Sequence, residues 1–188
     1  MLHIGAGTGY YTAILAEVVG NTGRIVAYEA DPALAARAAA NLAAWPHATV
    51  EAGDAGAPDG RFDAIFVNAG CTYARPAWLA ATDRIVLPLT IHMPSFPLGV
   101  GAMLRLDRGT GRGAGHGTGR DDGNAGPRWA ARMVSQVGIY DCVNARDPAH
   151  EPILRRLLAP GVTITEIDPT PHEAGPGCLA HIDGFCVQ

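Results

Sequence analysis

The residues with the clearest chemical reading open the chain, in the run Leu2-His3-Ile4-Gly5-Ala6-Gly7-Thr8-Gly9-Tyr10. Glycines at three alternating positions let a backbone turn tightly and approach a ligand where a Cβ would clash. The N–H groups that open the following helix have no partner within it and suit a carboxylate or phosphate. Glu29 follows at the end of the next apolar run, about 20 residues on, where an acid accepts hydrogen bonds from ribose hydroxyls. Gly53-Asp54-Ala55 follows a third run, and a carboxylate there can accept from an adenine amino group. Each feature alone has an ordinary structural reading, as a turn or a solvated strand end. In this order they describe a nucleoside site. The spacing is GxGxG rather than the GxGxxG that brings a pyrophosphate onto a helix, so with Asp54 it favours S-adenosylmethionine over a nicotinamide dinucleotide.

These residues need a sheet to position them, and the alternation of segments supplies one. Met1 to Ile4 reads as the end of a strand. Gly9 to Val19 is a helix with Tyr11, Ile14, Leu15 and Val18 at helical spacing. Arg24 to Glu29 is a buried parallel strand. Asp31 and Pro32 cap and open an Ala-rich helix that is expected to run to Trp45 and close at Pro46. Strands are expected at Thr49 to Ala52, Phe62 to Asn68 and Arg84 to Leu89, with a short helix from Pro76 to Ala81. That rhythm predicts an α/β fold, a Rossmann-like sheet, mostly parallel, with helices on both faces. Val100 to Leu106 and Trp129 to Tyr140 are expected to form an antiparallel pair at its edge. Asp147 to Leu158 reads as a helix. The expected organisation is one domain over residues 1–159, interrupted by a Gly-rich loop at 108–126, with a loosely ordered tail at 160–188. The loop carries glycine at every second position from Gly109 to Gly119. No strand feeds it and no helix follows, so it lacks what makes a phosphate loop work.

Composition removes several function classes. A chain of 188 residues with 48% hydrophobic and 17% charged residues has material for one globular core. A net charge of −4 argues against a nucleic-acid partner. No apolar run approaches the roughly 20 residues that cross a bilayer, and no signal peptide opens the chain. A cytoplasmic protein without a membrane partner is expected. Cys71, Cys142, Cys178 and Cys186 form no CxxC pair and read as free thiols. His172, Cys178, His181 and Cys186 match no zinc-finger spacing, so no metal is expected. His3, inside the first strand, reads as a packed residue with one satisfied nitrogen.

The sequence also resembles the protein-L-isoaspartate O-methyltransferase family over roughly Leu2 to Ala159. The likeness is carried by Ile4 through Ala16, by Val26-Ala27-Tyr28-Glu29-Ala30-Asp31-Pro32, by Gly53-Asp54, by Phe62-Asp63-Ala64-Ile65 and by Leu87-Pro88-Leu89. The run Val134 to Tyr140 is similar to a bacterial subgroup of that family. The resemblance implies methyl transfer from S-adenosylmethionine to an isoaspartyl carboxylate in a protein or peptide, a repair reaction. It implies that Gly5, Ala6, Gly7, Thr8 and Gly9 hold the methionine moiety. Glu29 with Ala30 would bind the ribose, and Asp54 with Ala55 the adenine. Asn68 would border the transfer site as the catalytic candidate. Two family features are absent: a Ser/Thr-containing segment ahead of the glycine loop, and a Pro-Gly-Gly turn before the fifth strand, where Ala80-Ala81-Thr82-Asp83 runs into Arg84. On that basis the chain reads as N-terminally truncated. The remaining alternatives are a small-molecule O- or N-methyltransferase and a non-catalytic S-adenosylmethionine-binding domain.

Overall fold

The computed structural model describes residues 1–109, 128–168, 180–182 and 185–187. The strands are β1 (Leu2–Ile4), β2 (Ile25–Glu29), β3 (Ala48–Ala52), β4 (Ile65–Val67), β5 (Arg84–Met93), β6 (Phe96–Arg108), β7 (Trp129–Ile139), β8 (Glu166–Asp168), β9 (Ala180–Ile182) and β10 (Phe185–Val187). They form one sheet in the order β3-β2-β1-β4-β5-β6-β7-β8-β10-β9. From β3 to β5 every pairing is parallel. From β5 onward the pairings are antiparallel. The expected antiparallel pair is therefore present as β6 and β7, and it is the start of a longer antiparallel half.

Helices α1 (Tyr10–Val19), α2 (Pro32–Asn41), α3 (Pro76–Ala80) and α4 (Glu151–Leu157) cover both faces. Side-chain alternation assigns them. Ile25 points to one face and packs with Ala16 of α1 and with Leu15, Val19 and Trp45. Leu2 and Ile4 point to the other, into the larger core with Trp78 and Leu79 of α3 and Leu154 and Leu157 of α4. That core continues into the antiparallel half through Leu87, Leu104, Leu106 and Trp129. It joins the two kinds of pairing into one hydrophobic body.

Local chemistry accounts for most of the boundaries. Asp31 accepts from the N–H groups of Ala33 (2.7 Å) and Leu34 (3.1 Å), and Pro32 occupies the first helical position. Helix α2 ends at Asn41, short of the expected Trp45, and residues 42–44 form a turn. Trp45 instead donates its indole N–H to Glu17 of α1 at 2.6 Å. Strand β4 is also shorter than expected: Phe62 makes only an isolated bridge to Thr82, and the paired strand is Ile65–Val67. Strand β5 runs on to Met93, through Pro88. The carbonyl of Pro88 accepts from Cys71, so its imino nitrogen faces the side where β4 has already ended and no ladder bond is lost. Gly101 of β6 sits where a Cβ would lie 2.0 Å from the Leu89 carbonyl, so only glycine allows that approach of β6 to β5. After Pro160, three short strands extend the sheet where a loose tail is expected. Ile167, buried in the main core, gives the first of them its anchor. Among the described residues no helix is long and apolar enough to cross a membrane.

Candidate functional site

Strand order reverses between β1 and β4, because β2 and β3 lie to one side of β1 while β4 and β5 lie to the other. Open α/β sheets bind ligands outside the carboxyl ends of the strands at such a point. A cleft of about 450 Å³ lies there, within the range of small-molecule sites. Its floor is Ile4, Gly5, Gly7, Glu29, Ala30, Gly53, Asp54, Ala55 and Asn68, contributed by the ends of β1 to β4. Of the residues expected to bind a nucleoside, only Ala6, Thr8 and Gly9 stand behind this surface. Ala6 is buried with its N–H on the Tyr28 carbonyl (3.0 Å), and the Thr8 carbonyl accepts from Asn41 of α2 (2.9 Å). They shape the loop from behind.

The glycine loop is held open by Glu29. One carboxylate oxygen accepts from the Gly7 N–H at 2.7 Å, and the other from the Asp31 N–H at 3.1 Å. Gly5 has φ +83°, and a Cβ there would lie 3.0 Å from the Asn68 carbonyl. Gly7 has φ +57° with nothing within 4 Å of where a Cβ would be, so the space before it is free. Asn68 donates its side-chain N–H to the Gly5 carbonyl at 3.3 Å, and its backbone N–H donates to the Ile4 carbonyl at 2.7 Å. It lines the cleft and braces the loop from the β4 side.

Asp54 is the most heavily bonded acid in the cleft. Arg75 Nη1 donates to both of its oxygens at 2.9 Å, and Asn144 Nδ2 donates to Oδ2 at 3.1 Å. The neighbouring Ala55 carbonyl accepts the Trp78 indole N–H at 2.7 Å. Sequence reasoning identified Asp54 and missed its partners. Arg75 and Trp78 are spaced like core and surface residues of any short helix. Asn144 carries a faint signal, since it is the one described non-glycine residue with positive φ, at 58°.

The far wall, Gly138 to Val143, was also not legible as a site. It begins in the last two residues of β7 and is tied to the segment after β4 by a parallel bridge of Gly70 with Asp141. That register places Cys142 opposite Cys71, and both thiols are free and buried. Burial pushes the Cys71 thiol up, while its hydrogen bond to Cys142 holds Cys142 below the usual thiol range. Arg146 fixes the wall from outside. Its guanidinium donates to Thr90 Oγ1 (2.8 Å) and Glu151 (2.6 Å) and pairs with Asp141 (3.2 Å). Burial pushes Glu151 up, but the hydrogen bonds from Arg146 and His92 outweigh it and hold the carboxyl below its ordinary value. His172 and Cys178 lie outside the described residues, and no side-chain placement is described for His181 or Cys186.

A parallel sheet with a reversal between β1 and β4, a glycine loop and acids on successive strand ends defines a class I methyltransferase fold. The solved structures agree at the level of fold. A protein-L-isoaspartate O-methyltransferase aligns with TM-score 0.56 and 18% identity, covering 77% of this chain and 42% of that one. A candidate member from Plasmodium falciparum, in complex with S-adenosyl-L-homocysteine, aligns with TM-score 0.50 and 14% identity over 75% of this chain and 64% of that one.

Sequence similarity narrows the comparison within that fold. The family model for protein-L-isoaspartate(D-aspartate) O-methyltransferase matches residues 1–91. The protein-L-isoaspartate O-methyltransferase of Roseiflexus castenholzii is 41% identical over 98 residues, 47% of this chain and 43% of that relative. Protein-L-isoaspartate O-methyltransferase 2 of Archaeoglobus fulgidus is 43% identical over 51 residues, 27% of this chain and 23% of that relative. The match thus spans less than half the length of each of these relatives.

Proposed function

We propose that the cleft binds S-adenosylmethionine and that the chain is a methyltransferase whose acceptor is a carboxylate, as in repair of isoaspartyl residues in proteins. The observation that carries this reading is the convergence of the Gly5–Gly7 turn, Glu29 and Asp54 on one cleft. The residues fit the cofactor. Free space stands before Gly7 for a ligand's polar tail, Glu29 retains lone pairs beyond those used by two N–H donors, and Asp54 retains acceptor capacity on Oδ1.

When bound, the cofactor supplies a methyl group on a sulfonium, which already carries its leaving group. A carboxylate acceptor is ionised at neutral pH and needs no general base. The protein's own part is then alignment and exclusion of water. Asn68, at the end of β4 beside the glycine turn, is placed to orient an acceptor oxygen. The Gly138 to Val143 wall shields the opposite side. An acceptor on a protein or peptide suits the exposed cleft residues Tyr11 and Tyr140. Free buried thiols at Cys71 and Cys142 support a reducing, cytoplasmic setting.

Calorimetric titration with S-adenosylhomocysteine, and methyl incorporation into an isoaspartyl peptide against its aspartyl counterpart, test the two halves of this reading. Saturable binding that NAD does not displace is expected, with transfer selective for the isoaspartyl peptide. Binding without transfer to either peptide would remove the isoaspartyl acceptor and leave a small-molecule acceptor or a non-catalytic binding domain. Absence of binding would overturn the cofactor site itself.

A further inference from the structure

We propose that Arg75 is a positioning residue that presets the Asp54 carboxylate for the amino group of a 6-aminopurine, so that adenine selectivity is set by a residue outside the cleft lining. The inference rests on the reading of the cleft as an adenosyl site. A carboxylate at a strand end is free to rotate and to hydrate, and in that state it discriminates poorly between ligands. Here it is fixed. Arg75 Nη1 bridges both oxygens at 2.9 Å, and Asn144 adds a third donor at 3.1 Å to Oδ2 alone. Oδ2 therefore carries two donors and Oδ1 one, which leaves Oδ1 as the oxygen able to take another N–H.

The arginine is itself immobilised. Its guanidinium carbon lies 5.6 Å from the centre of the Trp78 ring. Its Nη2 lies 2.7 Å from where a Cβ on Gly56 would be, so glycine at that position makes the room it occupies. Trp78 reaches past it to the Ala55 carbonyl at 2.7 Å, so one short helix grips both residues that face the base. Asn144 is locked in turn, with Tyr73 donating its hydroxyl to the Asn144 carbonyl at 3.2 Å. A 6-amino group donates to a preset carboxylate. A 6-oxo group sets a second acceptor against the carboxylate oxygen, makes no hydrogen bond to it and is rejected.

The test compares S-adenosylhomocysteine with its deaminated counterpart S-inosylhomocysteine by calorimetry on three proteins, each confirmed folded by thermal unfolding. These are the unmodified chain, Arg75→Gln and Gly56→Ala. The last keeps the arginine and displaces its head group. The unmodified chain is expected to prefer the adenosyl ligand by about tenfold or more, the scale of one hydrogen bond to a charged acceptor. Both variants should cut that preference to about twofold, through loss of adenosyl affinity, with inosyl affinity nearly unchanged. Equal weakening of both ligands would mean that Arg75 only supports the fold, and an undiminished preference would mean that Asp54 needs no presetting. Either result overturns the proposal while leaving the adenosyl site standing. Failure of the unmodified chain to bind either ligand would overturn both.

Discussion

Glu29 does two jobs at once, and that makes it the informative residue. Its oxygens hold the Gly7 and Asp31 N–H groups, so it sets the loop's shape before any ligand arrives. Glu29→Gln replaces one acceptor oxygen with a donor that faces an N–H. The expected loss in affinity for S-adenosylhomocysteine is about 1.5–3 kcal/mol, with little change in the unfolding temperature because the site lies at the surface end of the strand. Calorimetry that shows unchanged affinity would leave Glu29 only its part in bracing the loop. His3 makes the opposite case, a titratable residue with no part in the chemistry. It is fully buried against Phe66, with Nδ1 2.9 Å from Thr12 Oγ1 and Nε2 without a partner. A proton on Nδ1 leaves a bare lone pair at Nε2, which costs less than an N–H without an acceptor. Burial lowers the ring's pKa from 6.5 to about 4. Both folded and unfolded chains are neutral at His3 above pH 6.5. Below it, down to about 4, only the unfolded chain takes up the proton, so stability falls with falling pH. The contribution amounts to about 3 kcal/mol across that window. Denaturant midpoints measured from pH 7 to 4 should show a shallower fall for His3→Asn than for the unmodified chain. Parallel curves would mean that the buried ring accepts its proton after all.

At the scale of elements, alternating apolar runs and punctuation were enough to read the parallel half. Gly5 to Gly9, Asp31-Pro32 and Pro76 each act locally, through φ, capping or a missing N–H, so the sequence near them carries the information. The far wall of the cleft is different. Gly138 to Val143 reaches the site only because β5, β6 and β7 pair in long register, and Asn144 meets Asp54 across ninety positions of sequence. No local pattern encodes such a meeting. Helix α2 stopped short of Trp45 for a related reason: a tertiary hydrogen bond to Glu17 and packing on Ala16 and Ile25 claimed the indole. The hairpin of β6 and β7 bears on the Gly-rich insertion between them. Arg108 and Trp129 are paired, and Gly109 N–H still reaches the Arg128 carbonyl at 2.8 Å. The two ends are thus held in register by the strands themselves, and closing a shorter connection costs little entropy. Replacing residues 110–127 with a two-residue turn should leave the affinity for S-adenosylhomocysteine unchanged. Loss of binding in a folded variant would assign that segment to the site.

Taken as a whole molecule, the chain is one sheet with two kinds of pairing, and the cleft lies where they meet. The ends of β1 to β4 supply its floor, and the end of β7 with the segment after it supplies its far wall. The main core runs continuously beneath both. The wall's attachment is largely polar, through the Gly70–Asp141 bridge, Arg146 with Thr90, Asp141 and Glu151, and Asn144 with Asp54. Polar and partly exposed contacts of this kind open at lower cost than buried strands. A ligand that touches floor and wall together should therefore stabilise the molecule globally and slow the local opening of the wall. At a concentration one hundred times its dissociation constant, S-adenosylhomocysteine should add about 2.7 kcal/mol to unfolding. For a domain of this size that raises the unfolding temperature by about 5–11 °C. Amide exchange should slow at Gly138 to Val143 as well as at Gly5 to Gly7. Protection confined to the glycine loop would place the ligand on the parallel half alone, and the wall would then have no share in closing the site.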